Sequence, residues 1–354
     1  MFFHFILLVV SLMGFLRGVF DCDENCAEKP VFSPSRLVLM FGDPSSTTCT
    51  VCEKCTNEFG FENSVGNNTV NGTTITWQAG SVTEWDLPLM CYYEDVQQND
   101  TQCCTRLLVT VYKPPENVSI RFVDHTGPMY EGRQYTLQCT VQDVAPVENL
   151  TVTFYREHTI LGQLQSNKTT RKPVAEIFPL NITLSKEDDG LQYWCEAKLE
   201  LGPGGPQSPP VVKSQNITAT VYYKPRLVRP PPPYQITITE GESLLLDCSS
   251  VGNPSPSYTW TGPSDTPSPS GNNSMLFFKS ATPADGGNYT CSVSNHLATL
   301  TMTSTVVVKD RMLPSTRLPS TTTQATTTAS SKSTSSILIH RFIMCCMLLF
   351  SALV

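Results

Sequence analysis

One spacing constrains this chain more than any other feature, and it occurs three times. A glycine stands seven residues ahead of a cysteine, and a second cysteine follows 42 to 56 residues later: Gly42, Cys49 and Cys91; Gly132, Cys139 and Cys195; Gly241, Cys248 and Cys291. Self-similarity at a fixed interval is the mark of tandem units. In the second and third units apolar residues alternate into the first cysteine, Tyr135 and Leu137 in one, Leu244 and Leu246 in the other. That alternation describes a strand with one buried face that ends on a disulfide. The glycine permits the tight turn that feeds the strand.

The third unit carries the fullest pattern. Trp260 follows Cys248 by twelve residues, and Asp285-Gly286-Gly287-Asn288-Tyr289-Thr290-Cys291 places a tyrosine two residues before the second cysteine. A tryptophan packed on an inter-sheet disulfide and a tyrosine at that offset define an immunoglobulin-like sandwich. The second unit keeps the tyrosine, Tyr193, and offers Phe154 or Tyr155 in place of the tryptophan. The first unit keeps Cys91 but has neither the tyrosine nor a tryptophan on its third strand, and its place in the series carries it. Elsewhere short Val-, Thr-, Tyr- and Ile-rich runs alternate with Pro, Gly, Asn and Ser, and 27 prolines leave no long helical spacing. The expected fold class is therefore all-β: three tandem immunoglobulin-like β-sandwiches of C2 or I type.

Boundaries repeat as well. Thr110-Val111-Tyr112-Lys113-Pro114 and Thr220-Val221-Tyr222-Tyr223-Lys224-Pro225 each read as a last strand stopped by proline. They predict domains over 21–112, 113–223 and 224–309, with junctions short enough to favour a rod. Residues 1–20 read as a secretory signal peptide built on the apolar run Phe5 to Leu16. Residues 310–336 read as a disordered, O-glycosylated Ser/Thr/Pro-rich stalk. Residues 337–354 form a hydrophobic tail. Ala329-Ser330-Ser331, a polar spacer and the apolar run Phe342 to Val354 fit a glycosylphosphatidylinositol-anchor signal better than a minimal transmembrane segment.

Such a chain passes through an oxidising compartment, where cysteines pair. Of 14 cysteines, Cys345 and Cys346 lie in the tail. The spacing predicts inter-sheet bridges Cys49–Cys91, Cys139–Cys195 and Cys248–Cys291. Further bridges are expected among Cys22, Cys26, Cys52, Cys55, Cys103 and Cys104, whose connectivity cannot be deduced from order alone. Cys49-x-x-Cys52-x-x-Cys55 also has the spacing of zinc ligands, a reading that the compartment disfavours. N-glycosylation sequons stand at Asn67, Asn71, Asn99, Asn117, Asn149, Asn167, Asn181, Asn216, Asn272 and Asn288.

Composition removes two function classes. A formal net charge of -7 is the wrong sign for a nucleic-acid partner. The 5 histidines are scattered through the signal, the tail and separate units, and no nucleophile elbow, phosphate loop or HExxH helix occurs, so no enzyme is expected.

The first two units resemble the intercellular adhesion molecules, immunoglobulin-superfamily ligands of leukocyte integrins. The likeness lies in Gly132 to Cys139, in Ala145-Pro146-Val147-Glu148-Asn149-Leu150-Thr151-Val152, in Cys195 to Leu201, and in Pro88-Leu89-Met90-Cys91-Tyr92 with the exit Val109 to Tyr112. In that family an acidic residue near the end of the third strand of the first domain completes the coordination of a Mg²⁺ held by the integrin. The matching run is Gly60-Phe61-Glu62-Asn63-Ser64, so the resemblance implies Glu62 as the anchor, with Met90 and Tyr92 as flanking contacts. Alternation independently turns Phe59 and Phe61 inward and Gly60 and Glu62 outward, and a carboxylate is a hard oxygen ligand suited to Mg²⁺. The resemblance thus implies a membrane-anchored adhesion ligand on the extracellular side of the plasma membrane. It would have no cofactor of its own and would bind an integrin on an opposing cell, a homodimer being one arrangement open to it. The alternative is a receptor or homophilic adhesion protein with a metal-independent partner.

Overall fold

The computed structural model describes residues 22–23, 26–55, 58–95, 101–263 and 273–311. The predicted signal, all but the first two residues of the stalk, the hydrophobic tail, and the sequons at Asn99 and Asn272 lie outside them. Among the described residues no helix is long and apolar enough to cross a membrane. The chain divides into two units, Met1–Lys309 and Asp310–Val354. The first is all β-structure arranged around three separate cores, with 3₁₀ turns at Val147–Asn149, Lys186–Asp188 and Pro283–Asp285.

The first sandwich contains β1 (Val31–Ser33), β2 (Arg36–Met40), β3 (Ser45–Thr50), β4 (Phe59–Asn63), β5 (Asn67–Asn71), β6 (Thr74–Ala79), β7 (Leu89–Asp95), β8 (Thr101–Arg106) and β9 (Leu108–Tyr112). One sheet runs β1-β3-β6-β5 and the facing sheet β4-β7-β8, while β2 and β9 pair in parallel. The second contains β10 (Asn117–Phe122), β11 (Met129–Tyr130), β12 (Gln134–Val144), β13 (Leu150–Arg156), β14 (Thr159–Gln165), β15 (Val174–Thr183), β16 (Gln192–Leu199), β17 (Val211–Lys213), β18 (Ile217–Thr218) and β19 (Val221–Leu227). Its sheets are β10-β12-β15 and β14-β13-β16-β17, with β18 also on β16. The third contains β20 (Gln235–Thr239), β21 (Leu244–Asp247), β22 (Ser250–Asn253), β23 (Ser257–Thr261), β24 (Met275–Phe278), β25 (Gly287–Asn295) and β26 (Ala298–Lys309), in sheets β20-β26-β25-β23 and β21-β24.

The repeated glycines have a shared physical role. Gly42, Gly132 and Gly241 adopt φ of 93°, 78° and 92°, a region that L side chains rarely enter. Each donates its N–H to a carbonyl 2.8 Å away, that of Val82, Leu184 and Ala281 in turn. The turn therefore closes the same loop onto the same point of each sandwich.

A second equivalence appears across the cores. Phe61, Phe154 and Trp260 lie in register with Cys91, Cys195 and Cys291, and all three are buried. The place of the third-strand tryptophan is thus filled by phenylalanine in the first two domains, and in the second domain by Phe154 and not Tyr155. Tyr193 and Tyr289 close tyrosine corners: the Tyr193 hydroxyl donates to Asp188 Oδ1 at 2.7 Å, and the Tyr289 hydroxyl to the Asp285 carbonyl at 2.9 Å. In the first domain Leu89 takes that position, and the core gains its large aromatic from Trp77 on β6. Trp77 is 0 % exposed, and its Nε1 donates to the Val65 carbonyl at 2.7 Å.

The junctions are hydrogen-bonded. Lys113 and Ala145 exchange backbone hydrogen bonds beneath the first domain. Strand β19 pairs with β11 of the second sandwich and with β22 of the third, so one strand belongs to both. Asn253 Nδ2 donates to Asp189 Oδ1 at 2.9 Å and to the Val221 carbonyl at 3.0 Å, and Arg226 pairs with Glu131 at 2.9 Å.

Candidate functional site

The site is built on the outer face of sheet β4-β7-β8. Cross-strand register places Glu62 opposite Met90, and Met90 opposite Arg106. One step along, Gly60 lies opposite Tyr92, and Tyr92 opposite Cys104. Because side chains alternate along a strand, Glu62, Met90 and Tyr92 share this face while Phe61, Cys91 and Tyr93 point into the core, where all three are buried. Glu62 is exposed and has no hydrogen-bond or ion-pair partner among the described residues. The strand end beyond it is tied down: Asn68 Nδ2 donates to the Phe61 carbonyl at 3.2 Å and to Asn63 Oδ1 at 2.8 Å, and Ser64 donates to Glu84.

Tyr92 lies over Gly60. A Cβ at Gly60 would stand 2.6 Å from the Tyr92 hydroxyl oxygen, so the missing side chain is what lets the ring lie down on β4. Burial pushes the Tyr92 phenol above its ordinary pKa, and the negative charges of Glu62, Glu94 and Glu58 push it further. Beside Glu62 and Met90 opens a concavity of about 710 Å³, bounded by Leu87, Arg106, Leu108 and, from the second domain, Arg171. Leu108 is 67 % exposed, and Arg171 Nη1 meets Asp86 Oδ1 at 2.7 Å.

Covalent ties brace the sheet. Cys22 is joined to Cys104 and Cys26 to Cys103, so both bind the segment before β1 to β8. Asp23 bridges to Cys103 in parallel fashion, covering the β8 edge with backbone. That bridge occupies the middle of an edge that would otherwise be open to a foreign strand. Cys49–Cys91 crosses between the sheets, and Cys52–Cys55 closes a short loop. Glu28 lies beside that loop, yet with all three cysteines of the Cys49-x-x-Cys52-x-x-Cys55 run in disulfides no thiolate there remains to hold zinc. Cys139–Cys195 and Cys248–Cys291 cross the other two sandwiches.

Of the described sequons, Asn67 and Asn71 lie on the fully exposed edge strand β5, and Asn117, Asn167, Asn181, Asn216 and Asn288 are also exposed. Asn149 is half-buried, its Nδ2 donating to the Glu200 carbonyl at 2.8 Å. Sequence reasoning missed Arg106, Leu108 and Arg171 as neighbours of Glu62. For Arg171, 109 positions away, no sequence signal exists, because only the docking of two domains brings it there.

The fold and its repeats define tandem immunoglobulin-like domains. Residues 224–295 match the immunoglobulin-domain family, and the ectodomain of mouse nectin-like molecule 4, with three such domains, superposes with a TM-score of 0.50 at 18 % identity over 80 % of this chain and 99 % of that one. In sequence the chain is similar to vascular cell adhesion protein 1 of Rattus norvegicus, 29 % identical over 196 residues, 53 % of this chain and 25 % of the relative. It is also similar to cell adhesion molecule 3 of Mus musculus, 27 % identical over 209 residues, 57 % of this chain and 50 % of the relative. The chain thus spans between a quarter and a half of the length of these relatives. Both are named as adhesion proteins with no narrower class in common.

Proposed function

We propose that this protein is a cell-surface adhesion ligand, resembling the intercellular adhesion molecules, that offers the Glu62 carboxylate to a Mg²⁺ held by an integrin on an opposing cell. On this reading the chain sits on the extracellular side of the plasma membrane through a lipid anchor on its stalk, and it acts by binding and not by catalysis. The supporting observation is the state of Glu62: exposed, without an intramolecular partner, and at the end of a strand in a disulfide-braced sheet. A carboxylate already committed to an internal ion pair would have to break it before joining a metal, whereas this one gives up only water. Met90 and Tyr92 supply the apolar and amphipathic rim that surrounds productive anchors at interfaces. A rigid face also lowers the ordering cost of association.

The test is adhesion of integrin-bearing leukocytes to cells displaying the full-length chain, in Mg²⁺ and in EDTA, with Glu62→Ala and Glu62→Gln alongside the parent. Loss of adhesion both in EDTA and with either substitution supports the reading. Adhesion that survives chelation and both substitutions overturns it.

A further inference from the structure

The second domain carries another surface that the adhesion reading does not use. The outer face of sheet β14-β13-β16-β17 is laid out by register: Ile160 opposite Tyr155 and Tyr155 opposite Trp194; Gln163 opposite Thr153, Thr153 opposite Glu196, and Glu196 opposite Lys213; Lys198 opposite Val211. Tyr155 and Trp194 stack with centroids 5.4 Å apart and planes 11° from parallel. On the other side of Trp194, Lys213 Nζ lies 4.0 Å from the ring centroid. The indole is thus held between a phenol and an ammonium, with its Nε1 buried. Two exposed apolar residues flank this row, Ile160 at 61 % and Val211 at 53 % exposure, and a shallow concavity of about 250 Å³ lies among Thr153, Tyr155, Ile160, Glu196 and Val211.

Three observations bear on what this face meets. No sequon asparagine lies on β13, β14, β16 or β17, whereas the opposite sheet carries exposed Asn117 on β10 and Asn181 on β15. Sugar would therefore screen one face of this domain and border the other. Both faces of the Trp194 ring are already occupied, so the platform is not built for stacking a sugar or a base; the row is a pre-ordered aromatic pair of the kind protein contacts use. The charges, finally, alternate in sign within one strip: Glu196 stands between Lys213 across the strand pair and Lys198 along its own strand, the latter with its Nζ 2.9 Å from Glu200. An anionic partner would set a like charge against Glu196, and a cationic one would set like charges against the lysines. A second copy related by a two-fold axis meets i with j and j with i, so the pairing of Glu196 with Lys213 forms twice, once for each copy.

We infer that this face of the second domain is a self-association surface, in which Glu196 of one copy pairs with Lys213 of another around the Tyr155–Trp194 pair. Three strands of seven or eight residues and one of three, spaced by ~4.8 Å, give a plane of roughly 400 Å² per copy. That is about half of the ~800 Å² per partner of a standard stable interface. The contact is weak on its own and gains its effect from chains concentrated on one membrane or on two apposed membranes. It needs no divalent cation, which separates it from the Glu62 site.

The experiment uses full-length chain on the cell surface and a zero-length carbodiimide, which joins a carboxylate to an amine only when the two touch. The parent chain gives a cross-linked dimer, unchanged in EDTA. Glu196→Lys and Lys213→Glu, each displayed at parental surface level, lower the dimer by about tenfold or more, because each sets like charges together. Co-expression of these two variants restores it, since every contact then again pairs opposite charges. Val211→Asp, which leaves the ion pair intact but buries a charge in the apolar rim, also removes the dimer. Absence of a parental dimer, survival of the dimer in the single variants, or failure of the mixed pair to restore it overturns the inference.

Discussion

The phenol of Tyr92 occupies the space that a side chain on Gly60 would fill, since a Cβ there would lie 2.6 Å from its hydroxyl oxygen. A missing methyl on one strand thus sets the posture of an aromatic on the next, one step from Glu62. Gly60→Ala must displace the ring, and because the obstructing atoms are the far end of a side chain the fold can yield. We expect a change in domain stability within about 1 kcal/mol, since the gain in strand propensity offsets the clash. Adhesion should nevertheless fall several-fold. Thermal unfolding of the full-length chain beside the adhesion assay proposed for Glu62 checks this, and an unchanged adhesion strength would remove Tyr92 from the site.

Trp77 is a core residue with a hydrogen-bonded indole. Trp77→Ala should destabilise the first domain by about 3–5 kcal/mol, the cost of an aromatic cavity, and should leave the second and third domains folded. Hydrogen exchange resolved by segment will show deprotection confined to residues in the first sandwich if the three cores are independent.

The first-domain disulfides close loops of very different size. Cys52–Cys55 spans a sequence separation of 3, whereas Cys26–Cys103 and Cys22–Cys104, nested one inside the other, close separations of 77 and 82. On the chain-entropy account the short loop corresponds to about 2 kcal/mol of unfolded-state restriction and the long one to about 4 kcal/mol, lost only when both of its bridges are removed. The paired replacement Cys52→Ser with Cys55→Ser should therefore lower the midpoint of denaturant unfolding less than joint replacement of Cys22, Cys26, Cys103 and Cys104 by serine does. Equal losses would show that the short bridge acts on the native fold and not on the unfolded chain.

Asp188 lies under the second sandwich with a side chain 1 % exposed. Burial raises its pKa, but hydrogen bonds from the Ser185 backbone and hydroxyl, the Tyr193 phenol and the Arg156 guanidinium outweigh burial and leave it below the ordinary carboxylate range. A carboxylate lowered on folding contributes stability that is complete above its unfolded pKa of about 3.9 and is lost as pH falls through the lower folded value. The parent should thus lose this contribution only below about pH 4. Asp188→Asn should cost about 1–2 kcal/mol at neutral pH by weakening the charge-assisted hydrogen bonds from Ser185, Tyr193 and Arg156, and its penalty should shrink in acid. Unfolding midpoints at pH 7 and pH 3 test the difference, and a penalty independent of pH would assign the role to shape and not to charge.

Sequence alone determined the fold class, because its signals are local. A glycine at positive φ, alternation into a cysteine and a tyrosine two residues before the next cysteine are each set within one strand or turn, and two full copies of the set, with a third that keeps the glycine and the cysteine pair, point to one architecture. The outward direction of Glu62 was legible for the same reason, from its alternation with Phe59 and Phe61. Tertiary structure alone decided the rest: which of the crowded cysteines pair, that Trp77 on β6 fills the first core, that Phe154 rather than Tyr155 lies in register with Cys195, and that Arg171 comes to lie beside the Glu62 face. The stacked row of Tyr155, Trp194 and Lys213 belongs here too, since its members sit on three strands. Those outcomes depend on strand register and on domains docking across a hundred residues, and the energies that choose among registers come from packing, which no short stretch of sequence contains.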